Sequence, residues 1–519
     1  MTALSVLSGL SGPQVLLAIY YLILGTLAVY GVHRLALVAL YYRTRHRAPG
    51  TPPTPAEWPR VTVQLPLYNE MYVAERLIDA AARLDYPRDR LEIQVLDDST
   101  DETRQLVARR VERYRRQGLR IRLLHRSDRT GFKAGALAAG QAEASGELLA
   151  VFDADFVPPP GFLHRTVPHF HDPEVGMVQA RWEHINRYYS LLTRIQAVFL
   201  DGHFIIEHAA RARSGMFFNF NGTAGIWRRR AIEEAGGWQQ DTLTEDLDLS
   251  YRAQLAGWKF LFLSEVTAPA ELPVAVNAFK RQQFRWAKGS IQTARKLLWR
   301  LLRAPLPLRA KAEGFVHLTN NTSYLLMVAL SILVFPAMLL RRGEDVRLLL
   351  LLDLPLFVAA TVSVIVFYTV SQRERGSRWG RDLLYLPALM GVGIGLAINN
   401  SRAVVSGALK RGGVFERTPK YRIEGQRDGW RGKRYRVAQD ATVLVEGLLA
   451  AYFCLCFVIA VRLHMWPSLP FLYLFLQGYT YMFLLSVLPA RRTRRDDSSE
   501  LPRRDIETAA GETLADVSI

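Results

Sequence analysis

The sequence predicts an α/β domain with a mostly parallel sheet, inserted between membrane-spanning α-helices. Three observations carry this expectation. Between residues 60 and 300 short apolar strands alternate with helical patterns, which indicates a parallel sheet covered by helices. On both sides of that stretch stand apolar runs of about twenty residues, long enough to cross a bilayer. Half of the 519 residues are hydrophobic, yet the mean hydropathy is only +0.03, as expected of a chain that is part membrane and part water-soluble.

The elements follow in order. Residues 1–47 hold the first span, roughly 15–42; it lacks a basic start and is long enough to cross, so it reads as a span and not as a cleaved signal. Arg43, Arg45 and Arg47 follow, then a proline-rich linker at 48–59. Within the domain at 60–300, residues 61–65, 91–96, 119–124 and 147–152 read as strands, and 72–84 and 102–116 as helices. Ligands of such sheets bind beyond the carboxyl ends of the strands. Further spans are expected at 315–340, 348–370, 441–461 and 470–488.

The segment 383–398 is short for a crossing and continues into an amphipathic stretch, 399–409. Basic loops flank it, with Arg373, Arg375, Arg378 and Arg381 before it and Lys410, Arg411, Arg417, Lys420 and Arg422 after it. If it crossed, one of these loops would lie outside, against the bias of Lys and Arg toward the cytoplasm. Residues 383–409 are therefore read as interfacial or re-entrant, which leaves five true spans. The N-terminus is then outside, and the α/β domain, both basic loops and the Arg491–Arg495 cluster are cytoplasmic. The polar stretch 491–519 reads as a disordered tail. The net charge of +18 is assigned to these loops and to no nucleic-acid partner. Cys454 and Cys456 lie in one apolar run and make neither a disulfide framework nor a metal knuckle.

Candidate chemistry gathers at strand ends. Glu70, in P-L-Y-N-E, could hydrogen-bond a nucleotide, or be only a helix-start carboxylate. Asp97 and Asp98 stand where ribose hydroxyls or base N–H groups can be accepted, or cap the next helix. Gly131-Phe-Lys133-Ala-Gly135 opens a helix where backbone N–H groups and the Lys133 charge could meet a phosphate. Asp153 and Asp155, at i and i+2 on an extended segment, point the same way and can approach one hard divalent cation. In Thr244-Glu245-Asp246 either Thr244 caps a helix with the acids in its first turn, or Asp246 serves as general base. In Gln282-Gln-Phe-Arg285-Trp286, Arg285 can bind phosphate and Trp286 offers a face to a sugar ring; the same segment also reads as a basic helix on the membrane surface.

The ordered set D-D-S, D-A-D, T-E-D and Q-x-x-R-W, set between spans, resembles the processive family-2 glycosyltransferases: cellulose synthase, hyaluronan synthase and the cellulose-synthase-like mannan and glucan synthases. F-N-G-T-A-G at 220–225, E-A-G-G-W at 234–238 and G-W-K-F at 257–260 bring it nearest the mannan and glucan synthase-like branch. The resemblance implies a GT-A fold with Mg²⁺ or Mn²⁺ at Asp153 and Asp155. It places Glu70, Asp98 and Lys133 on the nucleotide, and Asp153, Gln282 and Arg285 near the diphosphate. Asp246 would be the base, with Thr244, Glu245, Trp286, Phe220, Asn221, Gly222 and Thr223 at the sugar substrates. V-F-E-R-T-P-K at 414–420, in the loop 410–440, resembles the gating loop F-x-V-T-x-K of cellulose synthase, with Arg417 in place of Val.

The expected function is an inverting hexosyltransferase of the cell membrane, with its catalytic domain in the cytoplasm. It would polymerise a β-linked mannan or glucan from GDP-mannose or UDP-glucose onto a glycan acceptor and pass the product through the bilayer. The alternatives are a transferase that adds one or a few sugars to a lipid, and a non-catalytic glycan-binding or export protein.

Overall fold

Four apolar runs form the parallel half of a seven-stranded sheet: β1 (Val61–Leu67), β2 (Leu91–Asp97), β3 (Ile121–His125) and β4 (Leu148–Val151). The helices α2 (Ala74–Ala82), α3 (Thr103–Arg116) and α4 (Phe132–Glu143) connect them, and α1 (Gly12–Thr44) precedes the domain. This computed structural model describes residues 11–343, 346–376, 379–435, 437–438 and 440–496. Three strands that the sequence reading did not place complete the sheet: β5 (Val175–His184), β6 (Gly225–Arg228) and β7 (Lys259–Ala270). The order is β3-β2-β1-β4-β6-β5-β7, and β6 alone runs antiparallel to its neighbours.

The two faces of the sheet bury separate cores. In β4, Leu148 and Ala150 face one core while Leu149 and Val151 face the other, as the two-residue period requires. The first core holds β1 and α2. The second joins α5 (Leu191–Asp201) to Leu37, Val38 and Tyr41 of α1, and to Phe367, Tyr368, Leu389 and Met482 farther along the chain. One face of the α/β domain is thereby seated on the long apolar helices.

Among the described residues, five helices are long and apolar enough to cross a membrane: Gly12–Arg47, Leu308–Leu340, Leu351–Arg375, Thr442–Arg462 and Trp466–Leu488. They mark an integral membrane protein. The segment read as interfacial is a broken helix, Trp379–Gly395 followed by Ala397–Leu409, bent by 41°; counted as one span it would make six. Its first half lies along the last long helix, where Gly391 and Gly395 meet Gly478 so closely that no side chain fits between them. The last helix continues through Asp496, so residues 491–496, expected to be disordered, are helical; the remainder of that tail, and Arg378, lie outside the described residues.

Candidate active site

The carboxyl ends of β1, β2 and β4 open into one cleft. α6 (Glu245–Leu255) begins at its wall, and α7 (Val276–Arg303) supplies part of its lining. Thirteen residues singled out from the sequence line it: Glu70, Asp98, Lys133, Asp153, Asp155, Asn221, Gly222, Thr244, Glu245, Asp246, Gln282, Arg285 and Trp286. Phe220 and Thr223 do not. Phe220 is fully buried with its ring 5.6 Å from that of Trp227, and Thr223 is buried with its Oγ1 accepting the Asp153 N–H at 2.9 Å. Both support the wall from behind and have no surface to offer a sugar.

The backbone departs from ordinary geometry around the cleft. Asn69 has φ +53°, and its N–H donates to Ser99 Oγ (2.8 Å) while its Oδ1 accepts the Thr100 N–H (2.8 Å). These bonds tie the loop after β1 to the loop after β2. Asp98 is no helix cap: both of its oxygens accept from Arg126, at 2.8 and 2.5 Å. Gly222 has φ +80°, and a Cβ there would come 2.9 Å from Asp246 Oδ2, so the close approach and the left-handed backbone both require glycine.

Lys133 leaves the first turn of α4 and donates to Asp153 Oδ1 (2.5 Å) and to the Gly222 carbonyl (2.9 Å). Asp155 pairs with Lys420. Thr244 does not cap α6, since its side chain makes no cap bond and lies 3.3 Å from Thr293 Oγ1. Asp246 Oδ1 accepts the Leu247 N–H at 2.8 Å. Burial, and next the charge of Glu245, push the Asp246 carboxyl up to about 7. Burial also lifts Glu70 to about 7 against the pull of Arg417, whose Nη1 lies 3.1 Å away.

Sequence reading placed no site role on Tyr68, Arg129, Trp182, Leu243, Phe415, Arg417, Thr418 or Lys420, which also line the cleft. The likeness of residues 414–420 to a gating loop was the one signal for the last four. That loop lies across the site: Arg285 sits 4.3 Å over the Phe415 ring and donates to the Glu416 carbonyl (3.1 Å). Arg129 lies 3.4 Å over the Tyr68 ring.

The donor set at Asp153 and Asp155 suits a hard divalent cation. Among the described residues no group of three or more His, Cys, Asp or Glu side chains is placed to hold a metal. Two carboxylates leave the remaining positions to phosphate oxygens and water, the usual arrangement for Mg²⁺ with a nucleotide. Lys133 and Lys420 supply the compensating positive charge in this structure.

Residues 59–289 match the family model described as glycosyltransferase like family 2. The chain is 49% identical over 246 residues to probable glucomannan 4-beta-mannosyltransferase 7 of Oryza sativa subsp. japonica, covering 46% of this chain and 42% of that one. It is 46% identical over 253 residues to glucomannan 4-beta-mannosyltransferase 2 of Arabidopsis thaliana, covering 48% and 47%. These matches span less than half the length of either relative. The solved mannosyltransferase from Pyrobaculum calidifontis, in complex with GDP-Man and Mn²⁺, aligns over 75% of this chain and 99% of its own, with a TM-score of 0.50 and 20% identity. At that identity the likeness shows the fold.

Proposed function

We infer that this chain, which over residues 59–289 belongs to the family-2 glycosyltransferases on the mannan synthase-like branch, transfers mannose from GDP-mannose to the end of a β-linked glycan at the cytoplasmic membrane face. The observation that carries the reading is the sharing of one cleft by the Asp153/Asp155 pair and Asp246, with only Gly222 between Lys133 and the Asp246 carboxylate. The mannosyl specificity is supported by the names of the rice and Arabidopsis relatives.

The reaction is a displacement with inversion. The acceptor hydroxyl oxygen bonds to the sugar C1, the bond from C1 to the phosphate oxygen breaks, and the nucleoside diphosphate leaves with the electron pair. Asp246 takes the hydroxyl proton. Lys133 and Arg285 hold phosphate oxygens, and the Trp286 ring stacks against the glycan. A divalent cation held by Asp153 and Asp155 would neutralise the charge that builds on the departing diphosphate. The buried walls and the overlying loop 414–420 keep water from competing with the acceptor. The long apolar helices behind the site would pass the growing polymer across the bilayer.

A donor screen tests this reading. With the full chain in native membranes, GDP-mannose should release nucleoside diphosphate faster than UDP-glucose, UDP-N-acetylglucosamine or GDP-glucose. Equal or greater release from a UDP-sugar would overturn the mannosyl assignment.

A further inference from the structure

Asn221 lines the cleft, and its carboxamide is held from one side only. Its Nδ2 lies 2.9 Å from His203 Nε2, while its Oδ1 is shielded from water and has no hydrogen-bond partner among the described residues. A buried acceptor left without a donor is costly, so the arrangement makes sense if a ligand brings the missing donor.

Which way the amide points is decided by its neighbours. His203 Nδ1 lies 3.1 Å from Glu207 Oε2. Burial works to raise the Glu207 carboxyl, but the His203 contact and the charges of Arg211 and Arg34 outweigh it and hold Glu207 ionised. An ionised carboxylate only accepts, so Nδ1 donates to Glu207, and Nε2, which faces the Asn221 NH₂ at 2.9 Å, accepts from it. Nε2 then requires the Asn221 NH₂, and Oδ1 must face away. Arg211 is itself fixed by Glu313 (2.7 Å), and Glu313 by His33 of α1 (2.8 Å).

The backbone is shaped for this. Gly202–His208 is a π-helical turn between α-helical segments, a feature that recurs at functional sites. Gly202 is pressed against the rings of Phe367 and Tyr368, where a Cβ would come 2.6 and 2.8 Å from ring carbons. The bulge that carries His203 and Glu207 is thus pinned to the long helix Leu351–Arg375.

We propose that His203 is a positioning residue: locked by Glu207, it turns the Asn221 carboxamide so that Oδ1 accepts a hydrogen bond from a hydroxyl of the sugar being transferred. The proposal rests on the glycosyltransferase reading above. The transferred sugar, and not the nucleotide, is named because Asn221 adjoins Gly222. The Gly222 carbonyl takes Lys133 on the diphosphate side, and its Cα faces Asp246 on the other. The sugar C1 must lie between those two groups.

The test compares dissociation constants for GDP-mannose and for GDP on the purified full-length chain, with turnover measured separately. Asn221→Ala and His203→Phe should each weaken GDP-mannose by about three- to tenfold, the loss of one hydrogen bond, and leave GDP within about twofold of wild type. The double variant should be no weaker than either single one. His203→Gln, whose side-chain oxygen can accept from Asn221, should recover GDP-mannose binding. His203→Leu serves as a second form of the same lesion if the Phe ring does not fit. Unchanged GDP-mannose affinity in Asn221→Ala or in either apolar His203 variant, additive losses in the double variant, or equal loss of GDP and GDP-mannose in both apolar variants would each overturn the proposal. A wild-type chain that shows this pattern of binding yet transfers no sugar would refute the functional reading and leave the role of His203 standing.

Discussion

A carboxylate can take a proton from a sugar hydroxyl only when it is itself ionised, and burial beside Glu245 holds Asp246 back until about pH 7. The fraction of Asp246 able to act as base therefore rises with pH up to that point and then levels. We expect kcat/KM to climb through an acid limb centred near pH 7; a flat profile from pH 5 to 8 would contradict it. Asp246→Asn keeps an oxygen for the Leu247 N–H but cannot take a proton, so turnover should fall by about 10²–10⁴ with GDP binding intact. The sign for stability runs the other way. A carboxyl whose folded pKa is raised contributes most below its unfolded value, and that contribution is lost as pH rises through the folded one. At pH 8 the Asn variant should thus melt no lower than wild type. The acidic pair nearby gives a separate expectation: excess chelator should abolish transfer, and Asp155→Asn should reproduce that loss without lowering the melting temperature.

At the scale of elements, the strap over the cleft depends on Glu271. Its carboxylate accepts from Arg76 Nη2 (3.1 Å) and from the Tyr421 N–H (2.8 Å), and its carbonyl accepts from Lys420 (2.6 Å). Glu271→Gln puts a donor where one of these acceptors stood and should loosen the loop. Trypsin should then cut at Arg431 and Lys433 several-fold faster, as expected of a segment with a lower opening free energy; an unchanged cleavage rate would show that the strap is held elsewhere. The sequence announced β1 to β4 because they are short apolar stretches separated by helical patterns. It concealed β5, whose pairing with β7 breaks register at Val175/Met177 and Ala180/Arg181, and β6, which is only four residues long. Asp153, Asp155 and Asp246 were legible because each sits at a strand end or helix start. Lys420 was not assigned to the site because its partner Asp155 lies 265 positions away. His203 left no trace in the sequence, since its role comes from a π-helical turn that brings it to Asn221.

For the whole molecule, the long apolar helices were legible from hydropathy alone, while the broken helix at Trp379–Leu409 needed the charge of the loops around it. If that helix does not cross, the loop 410–436 shares one membrane face with the α/β domain, the cytoplasmic face by the charge of its loops. A cysteine introduced at Gly425 should react with an impermeant thiol reagent only after the membrane is opened; labelling from outside intact cells would reverse the arrangement. The pairing of this cleft with membrane helices underlies the central proposal, that this chain builds a β-linked mannose polymer. The most direct measurement supplies the purified full-length chain, in proteoliposomes with Mn²⁺, with GDP-mannose labelled in the sugar, and sizes the labelled product before and after digestion with a β-mannanase. The account predicts label in high-molecular-mass material that the β-mannanase reduces to short oligosaccharides, and none when Asp246→Asn replaces the wild type. Label confined to a lipid-extractable glycoside, or a polymer resistant to the β-mannanase, would contradict it.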